Sequence, residues 1–212
     1  MRIFLAGASG VIGIRLVPLL LAGGHQVGAM TRSPGKTERL RSMGAEPIVC
    51  DVFEPVQLIG AVSAFAPSMV MHQLTDLPDR VERLSEYAAR NDRIRTEGTR
   101  NLLAAATAAG ATRFLAQSIA WRPAGRGAAV DELERQALEA GGIVIRYGQL
   151  YGPGTFYKHD LPDRPRVHVD AAARATAQLL EAPPGVIVIA EDEHGRVNPQ
   201  RQAPHPQKDP ES

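Results

Sequence analysis

The sequence predicts an α/β fold organised as a doubly wound parallel sheet. Three observations carry that prediction. Short β-rich runs alternate with helical stretches over residues 1–192. The runs are apolar throughout, as expected of strands covered by helices on both faces. The first run, Ile3-Phe4-Leu5-Ala6, passes directly into Gly7-Ala8-Ser9-Gly10-Val11-Ile12-Gly13, a glycine-rich turn that opens a helix. That junction makes the sheet Rossmann-like, because a helix N-terminus offers unpaired N–H groups and the positive end of its dipole to a phosphate.

The elements follow in order. Strand 2–6 feeds the glycine turn and helix 11–22. Gly7, Gly10 and Gly13 permit the tight turn, the close approach of a pyrophosphate and close helix–strand packing. Strand 26–30 ends in Thr31-Arg32-Ser33 and leads to helix 36–43. Strand 46–52 carries Pro47-Ile48-Val49-Cys50 and precedes helix 56–65. Strand 68–73 comes before a long helical stretch, 80–109, free of proline. Its first half is charged and its second half, Leu102-Leu103-Ala104-Ala105-Ala106, is small and apolar. Such a helix either covers its own sheet or builds a homodimer interface. Strand 113–117, helix 128–140 and strand 143–147 continue the alternation, and crossovers are expected to be right-handed. Helix 171–181 follows Asp170, a candidate N-cap, and strand 186–190 comes last. Residues 1–192 thus read as a nucleotide-binding domain with a small substrate-side insert near 151–170. Residues 193–212 turn polar and rich in Pro and Gln and are expected to be a disordered tail.

Composition narrows the function classes. A chain of 212 residues, 44% hydrophobic and 22% charged, suits one α/β domain with a good core. A net charge of +1 and 5% aromatic residues argue against a nucleic-acid surface. No run approaches the roughly 18 apolar residues of a membrane span, and no basic-then-apolar leader precedes the first strand. A cytoplasmic protein with a small-molecule substrate, and without nucleic-acid or membrane partners, is the expectation. The single cysteine, Cys50, cannot form an internal disulfide and reads as a packed strand residue. His159, Asp160, His168 and Asp170 lack compact ligand spacing, so no metal is expected.

The glycine turn has the context that gives such motifs meaning: a strand before it, a helix after it and a second strand at suitable distance. Gly7, Ser9, Gly10, Val11, Ile12 and Gly13 are therefore the predicted pyrophosphate loop. An acid about 20 residues on would bind the ribose 2′-hydroxyl of NAD. Here Arg32 stands at that offset and 26–36 contains no acid. Arginine suits a 2′-phosphate, so NADP is favoured over NAD, the alternative being an ordinary solvated loop charge. Asp51-Val52 could meet the adenine, or Asp51 could cap the following helix. Gln73 follows the fourth strand, where its backbone would pass the nicotinamide ribose.

These residues resemble the extended short-chain dehydrogenase/reductase superfamily, in its NAD-dependent epimerase/dehydratase branch. Residues 7–13 are similar to the family's dinucleotide loop and Asp51-Val52 to its adenine-contacting pair. Glu97-Gly98-Thr99-Arg100-Asn101-Leu102-Leu103 with Arg113-Phe114-Leu115 resembles its central helix and fifth strand. Arg146-Tyr147-Gly148-Gln149-Leu150-Tyr151-Gly152-Pro153-Gly154 resembles its post-catalytic strand and Y-G-P-G turn, and Val167-His168-Val169-Asp170-Ala171-Ala172 the start of a later helix. The resemblance covers roughly 1–192 and implies a nicotinamide cofactor.

The chemistry the family uses is not written in its usual form. It rests on a Tyr-x-x-x-Lys pair, in which lysine lowers the tyrosine pKa for proton exchange with substrate. Tyr87, Tyr147, Tyr151 and Tyr157 are followed four positions on by Asn91, Tyr151, Thr155 and Leu161. Resemblance places the missing pair near Arg126 and Val130, with Glu134 as the acid that follows it. The segment 121–127 is short, and Arg95 replaces an asparagine. Three residues could substitute. Ser118 falls near the family's active-site serine, with Ile119 at that position in an alternative register; it could also bond into a loop. Tyr151 lies on the Y-G-P-G turn and, lacking lysine, would serve as donor only. His72 could donate a proton or be a hydrogen-bonded structural histidine. Only thirteen residues, 155–167, separate Gly154 from His168, too few for a full substrate lobe. Two functions follow. One is an NAD(P)-dependent oxidoreductase or epimerase/dehydratase-like enzyme for a small carbonyl or alcohol. The other is a catalytically degenerate NADP(H)-binding module with a sensing or scaffolding role.

Overall fold

The computed structural model describes residues 1–78, 80–121 and 127–203. Its centre is an eight-stranded sheet built from β1 (Arg2–Ala6), β2 (Gln26–Thr31), β3 (Glu46–Val49), β4 (Met69–His72), β5 (Arg113–Ile119), β6 (Ile143–Tyr147), β9 (Gly185–Ile189) and β10 (Gln200–Gln202). Their order across the sheet is β3-β2-β1-β4-β5-β6-β9-β10. All neighbours are parallel except β10, which runs antiparallel to β9. Between β1 and β4 the order reverses, opening a crevice at the carboxyl ends of the strands where α/β sheets bind ligands. A separate two-stranded ladder pairs β7 (Gln149–Tyr151) with β8 (Arg166–His168).

Two apolar layers hold the helices. On one face α1 (Gly13–Ala22), α2 (Thr37–Ser42) and α7 (Val169–Ala177) bury Leu16, Leu20, Leu40 and Ala172 against Ile3, Leu5, Met71 and Ile145. On the other, α3 (Pro55–Phe65), α5 (Thr99–Ala108) and α6 (Gly127–Glu139) bury Leu58, Leu102 and Leu133 against Phe4, Val70 and Val144. Successive strand residues thus feed opposite cores, which is why the strands read as continuously apolar. The long helix runs as a short 3-10 turn (Val81–Arg83), α4 (Leu84–Arg93), a π turn (Ile94–Gly98) and α5. Leu102, Ala105 and Ala106 are buried in the chain's own core, and the helical half that precedes them carries the charged face.

Two expectations change. The segment expected to be a disordered tail is ordered as far as residue 203: it turns at 192–195, where the Asp192 N–H donates to the Arg196 carbonyl, and then forms β10. Backbone pairing to the exposed side of β9 supplies what its polar sequence lacks in apolar contacts; residues 204–212 lie outside the described residues. Asp170 does not cap α7. The cap is His168, whose Nδ1 accepts from the Asp170 N–H, leaving the Asp170 carboxylate free to pair with Arg15.

β4 ends in His72, which is wholly buried. Leu74 N–H donates to Nδ1 at 3.2 Å, so the ring proton sits on Nε2, 3.1 Å from Thr99 Oγ1. Burial first, with the nearby Arg95 charge adding to it, lowers the His72 pKa to about 4.

That buried imidazole makes stability depend on pH. Between the unfolded value of 6.5 and about 4 the unfolded chain binds the proton that the folded chain refuses. Stability should therefore be full above pH 6.5 and fall as pH drops, by about 2 kcal/mol at pH 5. Urea unfolding at pH 7 and 5 measures it, and His72→Gln should flatten the difference. Ala66, which ends α3, is exposed and left-handed at φ 49°. Ala66→Gly should raise stability by about 0.5–1 kcal/mol in a thermal melt, because glycine carries no Cβ penalty there.

Candidate dinucleotide site

The glycine turn is shaped by close main-chain approach. Gly7 adopts φ +89°, and a Cβ there would stand 2.5 Å from the Gln73 carbonyl oxygen; a Cβ on Gly13 would overlap the Gly7 carbonyl. Gly10 N–H donates to Gly7 O at 2.9 Å. Ala8 N–H bonds the Met30 carbonyl at 3.2 Å, and the Ser9 and Thr31 hydroxyls meet at 3.0 Å, so the end of β2 fixes the turn from one side. Ile12 and Gly13 are buried: the Ile12 side chain packs in the core, so only its backbone can serve a ligand. α1 starts with no side-chain cap and no acid in its first turn, which leaves its amides and dipole to an anion. An open cleft of about 350 Å³ lies there, lined by Ser9, Gly10, Val11, Arg15, Arg39 and Gly154 among others. These features fit the diphosphate of a dinucleotide.

Just after β2, the Arg32 side chain is 54% exposed and touches Asp76 only at 3.4 Å. Asp76 is buried, takes Arg90 at 2.9 Å on its other oxygen, and its N–H donates to the Asn91 side chain. Arg39, exposed on α2, lines the cleft; nothing in the sequence motif marks its charge. Asp51 Oδ1 accepts the Phe53 N–H at 3.0 Å, closing an Asx turn ahead of the α3 cap, Glu54, rather than capping the helix itself. Val52 is buried, and the Asn101 side chain donates to its carbonyl at 2.9 Å. The central helix therefore positions the loop that follows β3. Cys50 is buried, as expected of a packed residue, and burial pushes its thiol pKa up.

The three candidate proton donors are already engaged with protein partners. Ser118 Oγ donates to Glu134 Oε1 at 2.6 Å, and Arg146 clasps the same carboxylate through Nε (2.8 Å) and Nη2 (2.5 Å). Arg146 is 2% and Glu134 6% exposed at the side chain. Gln202 of β10 accepts from Arg146 Nη1 at 2.9 Å. This buried network is only half legible in the sequence: an arginine within the apolar run Ile143–Tyr147 needs a buried anion, and Glu134 supplies it. Val130 is buried on α6, and Arg126 lies outside the described residues. His72, for which the sequence leaves a donor role and a hydrogen-bonded structural role both open, takes the structural one: it is sealed in the core with both ring nitrogens turned to protein atoms. Tyr151 donates to Glu191 Oε1 at 2.5 Å; burial and that carboxylate raise its pKa. Gln73 is buried with its N–H on the Ala6 carbonyl; its side-chain oxygen accepts from Tyr147 at 3.5 Å, while Nε2 has no partner among the described residues. Among the described residues no group of three or more metal-ligating side chains occurs and no helix is long and apolar enough to cross a membrane.

Comparison with known proteins agrees with this geometry. The NAD(P)H-binding family model matches residues 7–140. The chain is 40% identical over 185 residues to a Streptomyces 3-diazoavenalumate denitrifying reductase, covering 76% of this chain but 60% of that protein. It thus spans about 60% of that relative's length. It is 29% identical over 114 residues to a Mycolicibacterium neoaurum 3-beta-hydroxysteroid dehydrogenase, covering 54% and 31% of the two chains. In fold it is similar to the Thermus thermophilus UDP-glucose 4-epimerase complex with NAD (TM-score 0.74, 21% identity, 93% and 79% covered). It is also similar to the Bordetella bronchiseptica enzyme WbmH in complex with NAD+ (TM-score 0.69, 15% identity, 89% and 75% covered). The doubly wound fold is borne out, shared with solved NAD-bound epimerase structures, and the chain belongs to the NAD(P)H-binding family whose model it matches.

Proposed function

We propose that the protein is an NADPH-dependent reductase that delivers hydride to a small acceptor needing no proton from a protein side chain. One observation carries this reading: the dinucleotide cradle is intact while Ser118, His72 and Tyr151 are committed to protein partners. A bound nicotinamide supplies the hydride. The chain's own part is to hold the diphosphate on the α1 amides, to place the adenine end against Asp51-Val52, and to wall the acceptor side with Gln73, Ser118 and the Tyr151 turn. The relative at 40% identity is named for the denitrifying reduction of a diazo compound. A diazonium acceptor suits a site without an acid: hydride replaces nitrogen, R–N₂⁺ + H⁻ → R–H + N₂, and no alkoxide is left to protonate. A small carbonyl would take its proton from water.

NADP is proposed over NAD because Arg32 and Arg39 are both exposed at the adenosine end and no acid occupies 26–36. The Arg32–Asp76 contact is long and half solvated, so it offers little competition to a phosphate. A cytoplasmic location is part of the same proposal. Self-association through the 80–109 helix would use the charged outer face of α4, since its apolar half is spent in the core. The sequestered donors also favour a second reading, an NADP(H)-binding module without turnover.

Fluorescence titration should give tighter binding of NADPH than NADH. Arg32→Ala should weaken NADPH by about 10- to 100-fold, the loss of a charge-assisted bond, and leave NADH nearly unchanged; equal affinities in the wild type would sink the NADP assignment. Turnover on an aryl diazonium salt and on small aldehydes separates the two functions. We expect diazonium reduction with a kcat/KM flat from about pH 6 to 8, as the step consumes no proton from the protein, and within about threefold in Tyr151→Phe. Tight NADPH binding with no turnover on any acceptor would leave the binding module.

A further inference from the structure

The guanidinium of Arg15 sits where a single side chain meets three segments of different origin. Nη1 donates to the Val11 carbonyl of the glycine turn at 2.8 Å. Nη2 donates to the Pro153 carbonyl of the turn after β7 at 2.5 Å. Nε donates to Asp170 Oδ1 at the start of α7, also at 2.5 Å. Arg15 is 20% exposed at the side chain and lines the cleft with Ser9, Gly10, Pro153 and Gly154. The site lies in the first turn of α1, where the helix dipole disfavours a cation. Nothing in the fold of α1 asks for arginine there: the buried stripe of the helix is Gly13, Leu16, Val17 and Leu20. Its placement makes sense through what it joins. The floor of the cleft is the glycine turn, and the opposite wall is the turn 152–155, closed by Thr155 N–H and Oγ1 on the Gly152 carbonyl.

We infer that Arg15 is a positioning residue, a three-way latch that, with Asp170, holds the acceptor-side turn 152–155 at a fixed distance from the glycine turn and so sets the mouth of the cofactor cleft. The inference rests on the cleft being the dinucleotide site, but the latch is a property of the protein alone. The planar fork is what the job requires. A lysine at the same place could neutralise Asp170 and attract a diphosphate, yet it could not reach three acceptors in three directions. Charge and connection can therefore be separated by substitution. Asp170→Asn keeps the Arg15 charge and removes the strongest tie. Arg15→Lys keeps the charge and removes the fork. Arg15→Ala removes both.

The test is amide hydrogen exchange on the full chain without cofactor, followed by NADPH titration and steady-state kinetics on the same proteins. The reporters are Gly152 N–H, bonded to the Tyr157 carbonyl at 2.9 Å, Thr155 N–H, and Asp170 N–H on His168 Nδ1. A working latch gives roughly tenfold faster exchange at these amides in all three variants, while amides of β1, β4 and β5 keep their protection. NADPH affinity should fall about tenfold in Arg15→Ala and stay within about threefold in Arg15→Lys and Asp170→Asn, because the charge persists. The acceptor KM should rise in all three with kcat little changed. Unchanged exchange at 152–155 in Asp170→Asn and Arg15→Lys would overturn the latch, whatever the cofactor does. Faster exchange with no NADPH binding even in the wild type would keep the latch and remove the dinucleotide reading instead.

Discussion

The main chain of Gly7 lies against the carbonyl of Gln73, and much of the molecule is organised to allow that contact. Where a Cβ would fall, an oxygen stands at 2.5 Å. The approach brings the ends of β1 and β4 together at the point where the sheet changes direction, so that α1 begins directly over the crevice. Gly13 allows the helix to sit down on the turn, and the Ser9–Thr31 contact steadies it from β2. A substituent at Gly7 would push the turn off β4, and with it the amides that face the cleft. Sheet reversal, helix start and ligand geometry thus share one steric condition.

Much of this was legible in the sequence because the physics involved is local. Doubly apolar strands, a glycine-spaced turn and helix-length connections are patterns of a few residues, and the sheet they predicted is the one that forms. The elements that differed are those decided by distant partners. A Pro- and Gln-rich stretch has no periodicity to announce β10; it is ordered because β9 offers unpaired carbonyls and amides. Asp170 read as a cap from its neighbours, but Arg15, far away in sequence, claims its carboxylate. His72 read either as a donor or as a hydrogen-bonded structural histidine, and the choice between them lay with the distant Thr99 and with burial, which make it part of the core. The glycine turn could be read residue by residue; Arg15 and Arg39 could not be placed beside it, since their position depends on which way the cleft opens.

The Ser118–Glu134–Arg146 network shows how the carboxyl end of β5 is built. A bidentate ion pair at 2% and 6% exposure is costly to desolvate and justified only when its remaining hydrogen-bonding groups are met. Ser118 and Gln202 meet them. The serine hydroxyl is consequently oriented by the protein interior and not by a ligand. In the proposed reading, such pre-committed side chains would wall a reacting group brought by the cofactor and acceptor, so that positioning would matter more than proton traffic.

The antiparallel strand at the far side of the sheet has a consequence beyond Arg146. Without it, β9, whose residues read Gly-Val-Ile-Val-Ile, would be the outermost strand. An uncovered apolar edge of that kind is a template for pairing between molecules. β10 replaces it with Gln200, Arg201 and Gln202, all exposed, and Arg201 anchors the new edge to the carbonyls of Pro183 and Pro184. The polar composition that made this segment look structureless is what lets it end a sheet without inviting another copy of the chain to extend it.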